Sequence, residues 1–359
     1  MSGEMLDSFF IGSYRGLKET EFKDFSDINI LVGENNVGKT SVLEALILSG
    51  LFDEGELLIQ TLISRYQQIS LELVKDMFED QDKPLVCLKR KMKDSDLIAH
   101  THIRFREDEK TVLSGEQMRQ EKSLMLEFDY NFKEENKKAS KHHSNYAVVF
   151  EQHGQGIDVR LGKRKDKKFQ NDAKRKIPCE FISFSRFDRT AYLMDSLDAV
   201  LEQDKRAELI EVLKLFDPEV ENFEVIGKDR NIKIFAKNRK QPLSLYDYGN
   251  GMYKAFYIAS AALLCENGIF LVDEIEAGIH KKALKKFIHY LMEVCKQRNI
   301  QLFITTHSLE TLDLFLENKE ERNRIVAYNM KNQGTQTKVR RYSGEKLEQL
   351  RRSMGLDIR

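Results

Sequence analysis

The sequence predicts an α/β fold, and three short apolar runs that each end in polar residues support this prediction. The run Ile28–Val32 leads into a glycine-containing loop and then into apolar residues at helical spacing, which is typical of a strand–loop–helix unit. The runs Gly268–Val272 and Leu302–Ile304 are separated by a helical pattern, as in parallel strands joined by a crossover helix. Because parallel strands end at the same edge of a sheet, we expect the polar residues that follow them to lie together.

Composition excludes several classes of protein. The chain has 359 residues, 41% of them hydrophobic and 32% charged, which is incompatible with a fully disordered chain. Lys+Arg and Asp+Glu are both 58, so any nucleic-acid surface has to be a local patch. The four cysteines are far apart and form no CxxC pair, which argues against a disulfide framework or a zinc finger.

The N-terminus and the apolar segments predict a soluble cytoplasmic protein that does not contact a membrane. The first 20 residues lack the basic start and apolar core of a signal peptide. The best apolar stretch, Ala255–Leu264, is about half the length needed to cross a bilayer.

Residues 51–176 predict an antiparallel sheet with a helical and charged insertion. Leu57 to Phe78 has helical spacing, and strand patterns follow it. The period-2 run Leu124–Phe132 is the clearest of these patterns. The other candidate strands are Leu85–Lys91, Ile98–Phe105, Tyr146–Phe150 and Ile157–Leu161.

A basic segment, Gly162–Lys176, closes this region with eight basic residues against two acidic ones. Such a run is most often a solvated loop. Contact with a phosphate backbone is the alternative, and DNA is therefore a candidate partner.

From Ile177 onward the α/β pattern returns. It predicts a strand at Phe181–Phe184, one amphipathic helix at Ala199–Phe216, a hairpin at Phe223–Ala236, a buried helix at Tyr253–Cys265, a hairpin formed by Ile325–Tyr328 and Thr337–Tyr342, and a closing helix from Ser343 to Gly355.

The loop after the first apolar strand has the spacing Gly33-x4-Gly38-Lys39-Thr40 of a phosphate-binding loop. Glycines allow backbone N–H groups to face a phosphate, the lysine neutralises phosphate oxygens, and the threonine hydroxyl is a ligand for Mg²⁺. The nucleotide-binding residues predicted here are Gly33, Asn35, Asn36, Val37, Gly38, Lys39, Thr40 and Ser41. Thr40 is also a predicted metal ligand.

Two adjacent carboxylates, Asp273 and Glu274, follow the second apolar strand. Beside a phosphate loop, Asp273 is expected to reach Mg²⁺ and Glu274 to polarise the water that attacks the terminal phosphate. Taken alone, the same pattern is common where a strand meets a loop.

His307 follows the third strand, 34 residues after Asp273. A single histidine after a strand is usually structural, but this spacing predicts that it lies at the same sheet edge as the carboxylates.

These elements together resemble the ATPase heads of the ABC type, in the branch that contains SMC-like, RecF-like and OLD-family ATPases. The loop Gly33–Ser41, the segment Asp273–His280 (similar to the DE-x-E-x-GLH form) and the segment Thr305–Ser308 carry the resemblance. The resemblance implies an ABC-ATPase-like P-loop NTPase head with an antiparallel β-lobe. It also implies that the cofactors are ATP and Mg²⁺, and that His307 is a switch histidine.

The segment Pro242–Leu245, with Gly249 and Gly251 beyond it, resembles a degenerate signature motif. In this family that segment contacts the nucleotide bound by the opposite subunit, so the resemblance implies a homodimer or a higher oligomer. It departs from the LSGGQ form, and a turn before a helix is the alternative interpretation of the two glycines. The resemblance further implies a nucleotide-sensing glutamine, for which Gln60, Gln67 and Gln68 are the candidates.

We expect one ABC-type ATPase domain over residues 1–359, with 1–50 and 177–359 as the nucleotide-binding core and 51–176 as the β-lobe and insertion. No DxD pair appears after His307, so no TOPRIM nuclease domain is expected there. The chain thus resembles the ATPase subunits of two-gene anti-phage systems, which act with a separate TOPRIM-like effector.

Three functions remain open from the sequence. The favoured one is an ATP-hydrolysing sensor or scaffold that controls such an effector in phage defence. The alternatives are a RecF- or SMC-like DNA-repair ATPase acting directly on DNA and, disfavoured by Asp273–His280, the ATPase subunit of a transporter.

Overall fold

A computed structural model describes residues 5–51, 70–78, 85–93, 97–114, 117–134, 140–153, 156–163, 177–183, 190–228, 230–334, 336–353, 355 and 357. The strands are β1 Leu6–Tyr14, β2 Leu17–Phe22, β3 Ile28–Gly33, β4 Leu85–Met92, β5 Leu97–Ser114, β6 Gln117–Glu134, β7 Ser140–His153, β8 Gly156–Lys163, β9 Cys179–Ser183, β10 Val220–Ile226, β11 Asn231–Ala236, β12 Leu243–Ser244, β13 Ile269–Asp273, β14 Gln301–Thr306, β15 Ile325–Gln333 and β16 Gln336–Ser343. The α-helices are α1 Lys39–Leu46, α2 Leu71–Phe78, α3 Thr190–Glu202, α4 Arg206–Lys214, α5 Asn250–Leu264, α6 Lys281–Gln297, α7 Leu309–Leu316 and α8 Gly344–Glu348. Short 3₁₀ and π turns extend several of them.

The core of the fold is a six-stranded sheet with the order β16-β15-β3-β14-β13-β9. Its strands are parallel except β16, which forms an antiparallel hairpin with β15. Neighbouring residues of β3 belong to different hydrophobic clusters, Ile30 to one and Leu31 to the other. The sheet is therefore covered on both faces, which explains why its strands are continuous apolar runs. The α/β prediction is confirmed.

Different layers cover the two faces. Helices α3 to α7 supply the first cluster, with Phe256, Leu291 and Phe315 among its fully buried members. Helix α1 and a seven-stranded antiparallel sheet supply the second cluster. The phosphate loop thus lies at the junction of three layers.

The seven-stranded sheet has the order β2-β1-β4-β5-β6-β7-β8, and it confirms the predicted antiparallel lobe. Strands β1 and β2 belong to this sheet and not to the core sheet, so the division that placed all of residues 1–50 with the core does not match the strand pairing. The reason is that the apolar side chains of β1, such as Phe9 and Ile11, alternate with more exposed ones, as in a strand with one buried face.

The single helix predicted at Ala199–Phe216 is wrong, because α3 and α4 are separate. Asp204 has a φ of 56° and turns the chain between them. Both helices then reach the same cluster, α3 through Val200 and α4 through Leu209.

Some predictions fall outside the described residues. These are the first part of the helix expected at Leu57–Phe78, the candidates Gln60, Gln67 and Gln68, and nearly all of the basic segment Gly162–Lys176. Among the residues that are described, no helix is both long and apolar enough to cross a membrane.

Candidate functional site

The phosphate loop connects the fully buried strand β3 to helix α1. A side chain at Gly33 would place its Cβ 2.5 Å from the Met330 carbonyl oxygen, and one at Gly38 would place it 2.7 Å from Leu17. Gly38 also has a φ of 97°, in the region that favours glycine. No side chain caps the start of α1, and the free N–H groups at the start of a helix suit an anion.

Lys39 occupies the centre of this loop. Its Nζ donates to the carbonyl oxygens of Gly33 and Glu34, each at 2.8 Å. Burial lowers the pKa of Lys39, and the negative charges of nearby carboxylates, Asp273 first among them, act in the opposite direction. The remaining predicted loop residues divide into exposed Asn35 and Asn36 and buried Val37 and Ser41.

Asp273, at the end of β13, is the centre of a buried polar cluster. Its Oδ1 accepts hydrogen bonds from the hydroxyls of Thr305 at 2.6 Å and Thr40 at 3.0 Å. Its Oδ2 accepts from Thr40 at 3.1 Å and Ser183 at 3.2 Å. Burial raises the pKa of Asp273, and the bonds from the three hydroxyls partly oppose that effect. The structure therefore brings Thr40 and Asp273 together, as the sequence predicted.

A hydroxyl and a carboxylate are the hard oxygen ligands that Mg²⁺ prefers, so the pair Thr40 and Asp273 fits this ion. In the described part of the chain no group of three or more His, Cys, Asp or Glu side chains could hold a metal. Mg²⁺ usually keeps several water ligands, so water and phosphate oxygens would complete a site built on Thr40 and Asp273.

Glu274 follows Asp273 with its side chain exposed and its backbone in the left-handed region, at a φ of 51°. Its N–H donates to the Thr305 hydroxyl at 2.8 Å, which stabilises that conformation. Strained backbone of this kind is frequent at functional sites. The turn therefore directs Glu274 away from the buried cluster and towards solvent at the edge of the sheet.

His307 follows β14 at the same edge, where it contacts Glu276. The backbone N–H of His307 donates to Glu276 Oε1 at 3.1 Å, and its Nδ1 lies 3.4 Å from the same oxygen. Half of the imidazole is exposed. Strand register aligns the neighbouring Thr306 with Val32, the last residue before Gly33. His307 is therefore held beside the phosphate loop.

The signature-like segment forms a 3₁₀ turn over Leu245–Tyr248, followed by α5. Ser244 and Asp247 cap this turn reciprocally, and Gly249 has a φ of 98° at the helix start. A Cβ at Gly251 would lie 3.3 Å from the Gly278 carbonyl oxygen. The atoms nearest to this Cβ thus belong to Gly278 and Ile279, in the turn after Glu274, and to Phe216.

Lys254 lies one turn further along α5. Its Nζ donates to the Ala277 carbonyl oxygen at 2.7 Å and so also joins α5 to the turn after Glu274. Sequence reasoning did not identify Lys254, Ser183 or Thr305. Thr305 belongs to the segment Thr305–Ser308, which carries the family resemblance. Single lysine and hydroxyl residues, however, form no sequence pattern that predicts these contacts.

The parallel core sheet, the phosphate loop and the polar cluster at its edge define a P-loop ATPase domain of the AAA type. The family described as "AAA domain, putative AbiEii toxin, Type IV TA system" matches residues 28–313, and the chain belongs to this family.

Known proteins agree with this class. A protein of Helicobacter pylori named "ATP/GTP phosphatase" is 24% identical over 370 residues, covering 96% of this chain and 97% of the relative. The SMC head bound to the C-winged helix domain of ScpA is similar in structure with a TM-score of 0.51 and 11% identity, covering 95% of this chain and 99% of that one. An SMC head with an extended coiled coil, bound to the C-terminal domain of ScpA from Pyrococcus furiosus, is similar with a TM-score of 0.50 and 11% identity, covering 98% of this chain and all of that one. At this identity the SMC heads establish the fold alone.

Proposed function

We propose that the protein binds Mg²⁺–ATP and hydrolyses it at the edge of the core sheet. The cluster around Asp273 carries this proposal, because it joins the phosphate loop to β13 and β14 through one carboxylate. The name of the Helicobacter pylori relative supports nucleotide hydrolysis as the activity.

In the proposed reaction each residue has a separate role. Lys39 and the N–H groups at the start of α1 hold the phosphates, and Thr40 and Asp273 hold the metal. When bound, Mg²⁺ neutralises charge on the phosphate oxygens. Glu274 accepts a proton from the attacking water, and His307 contacts the terminal phosphate.

The test is ATP hydrolysis by purified protein with and without Mg²⁺, beside Lys39→Ala and Glu274→Gln. Lys39→Ala should lose nucleotide binding, since the backbone alone does not neutralise a triphosphate. Glu274→Gln should keep binding and lose turnover. Wild-type turnover by Glu274→Gln would contradict the role given to that carboxylate.

We further propose that two ATP sites form between subunits of a homodimer or larger oligomer. Gly249 and Gly251 of one subunit would complete the phosphate loop of the other. The exposed Tyr246, stacked on Tyr253 with ring centroids 4.5 Å apart, supports an interface on this side of the molecule. Mixing Lys39→Ala with Gly251→Asp should restore at most one composite site per dimer, whereas full activity of a dilute monomer would contradict the arrangement.

The biological role we propose is control of a separate effector in anti-phage defence, with a TOPRIM-like nuclease as the expected effector. The description of the family as a toxin of a toxin–antitoxin system supports a defence role. Purified alone, the chain should hydrolyse ATP and leave supercoiled DNA intact in Mg²⁺ or Mn²⁺. Metal-dependent nicking that persists in Glu274→Gln would place a nuclease in this chain instead.

A second candidate is an ATPase that acts directly on DNA, and the β15–β16 hairpin favours it. Residues 325–343 contain four cations and no acidic residue. Lys331 and Lys338 are exposed and directly opposite each other, an arrangement that is unfavourable unless an anion binds there. A polyanion such as the DNA backbone would supply that anion.

Binding of labelled duplex DNA over a range of salt concentrations tests this candidate. Lys331→Gln/Lys338→Gln should weaken binding and lower the slope of log K against log salt by about 2, one counterion per lost contact. Lys228→Gln/Lys319→Gln removes the same charge from exposed positions elsewhere and should not. Equal behaviour of the two double variants would exclude this surface.

A further inference from the structure

Glu276 holds the end of strand β14 through a single carboxylate oxygen. Its Oε1 accepts from the Thr306 hydroxyl at 2.8 Å and from the His307 backbone N–H at 3.1 Å. The imidazole Nδ1 of His307 lies 3.4 Å from that same oxygen. Glu276 Oε1 therefore contacts three groups: the hydroxyl of Thr306, the backbone of His307 and the imidazole ring of His307.

We propose that Glu276 is a positioning residue for ATP hydrolysis, which acts by fixing the orientation of the His307 ring. The proposal rests on the hydrolytic function proposed above. A carboxylate can only accept, so its position 3.4 Å from Nδ1 favours the tautomer with the proton on that nitrogen, and Nε2 then lies on the opposite side of the ring. The backbone contact fixes the place of His307, and the ring contact fixes its tautomer and direction.

The second oxygen of Glu276 indicates that this carboxylate is not optimised for stability. Oε2 is buried and has no hydrogen-bond partner in the described part of the chain. An unsatisfied buried acceptor destabilises the folded state, so a fold selected for stability alone would replace it. Asp273, three residues earlier, has both oxygens satisfied.

The charge of Glu276 also belongs to the nucleotide site. Its carboxylate acts electrostatically on the Lys39 ammonium, together with Asp273 and Glu274. Two roles are therefore conceivable for Glu276: action through His307, or direct action on the phosphate loop. The contacts favour the first, because three contacts reach Thr306 and His307, and the described hydrogen bonds of Lys39 are to Gly33 and Glu34.

A double-mutant cycle of Glu276 and His307 separates these roles. The variants are Glu276→Ala, His307→Ala and the double variant, measured for kcat, KM for ATP and thermal unfolding. We expect Glu276→Ala to lower kcat about 10- to 100-fold, the usual effect of removing a group that orients a functional histidine. KM should change little, because the phosphate loop is intact. The melting temperature should fall only modestly, because the loss of the acceptor for Thr306 and His307 is partly offset by the removal of an unsatisfied buried oxygen.

The decisive comparison is the effect of Glu276→Ala when His307 is already alanine. If Glu276 acts through the ring, the second substitution should change kcat by less than about twofold, so the two effects will not add. Glu276→Gln keeps an acceptor for the backbone and the ring, and it should recover much of the lost kcat. This variant also keeps the experiment informative if Glu276→Ala fails to fold.

Glu310→Ala is the matched control. This acid lies three residues after His307 and forms an exposed ion pair with Lys281 at 3.3 Å. It should hydrolyse ATP like wild type. Additive losses in the cycle, or wild-type kcat for Glu276→Ala, would overturn the inference while leaving the proposed hydrolysis in place. Absence of Lys39-dependent hydrolysis in the wild type would overturn both.

Discussion

The two ends of strands β9 and β13 each hold a carboxylate, and the chemical settings of these two carboxylates differ. At the carboxyl end, Asp273 is surrounded by three hydroxyl donors. At the amino end, burial raises the pKa of Glu180 to about 7. Free thiols lie at this end too, and burial raises the pKa of Cys265.

This difference in chemical setting distinguishes a candidate cation site at Asp273 from a partly buried carboxyl group at Glu180. Donors that are already in place favour the charged form of Asp273, which a cation needs. The surroundings of Glu180 favour its neutral form. We therefore expect substitutions at the carboxyl end to change activity and substitutions at the amino end to change stability.

The largest effect is expected for Asp273→Asn. Loss of the metal-binding charge should lower ATP hydrolysis about 100-fold or more, as when a group that stabilises transition-state charge is removed. The melting temperature should not fall, because the variant no longer buries a charge. Glu180→Gln is the control and should hydrolyse ATP like wild type; an equal loss in both variants would remove the distinction between the two ends.

The sequence predicted which residues meet at the carboxyl end of the sheet, but it did not predict all of the hydrogen bonds among them. Asp273, Glu274 and His307 each follow an apolar run, and parallel topology brings such positions to one edge. Ser183 is the last residue of β9, but it lies 90 residues before Asp273, and sequence alone did not indicate that β9 pairs with β13. The order of strands in a sheet depends on tertiary packing, which local patterns do not encode.

Backbone breaks were missed for a related reason. Asp204 ends α3 in a left-handed conformation although no glycine or proline marks the position. The apolar period continues across the break because both helices bury residues in one cluster. The same ambiguity applied to β1 and β2, whose alternating pattern fits any sheet with one buried face.

A smaller effect is expected for Lys254→Met. This variant tests whether α5, the helix after the signature-like segment, contributes to the site at the carboxyl end. Lys254 Nζ holds the Ala277 carbonyl oxygen, next to Glu276, and so joins α5 to the turn that contacts His307. Losing this contact should lower kcat about 5-fold, equivalent to a coupling of about 1 kcal/mol. The control is Lys286→Met on α6, which removes a longer contact, 3.5 Å from Nζ to the Leu215 carbonyl oxygen. This variant should hydrolyse ATP normally. Equal rates would show that α5 and the turn are not coupled.

The smallest effect is a pH dependence of stability that arises at the amino end. The pKa of Glu180 is raised from 4.5 to about 7, so the folded state holds this proton more tightly than the unfolded chain does. Its contribution to stability is complete below the unfolded pKa and is lost as pH rises through about 7. Glu180→Gln stays neutral, so its melting temperature should match that of wild type at acidic pH and exceed it at mildly alkaline pH. Thermal unfolding of the nucleotide-free protein across this range measures the difference, and a gap that does not widen with pH would show that Glu180 remains charged in the folded protein.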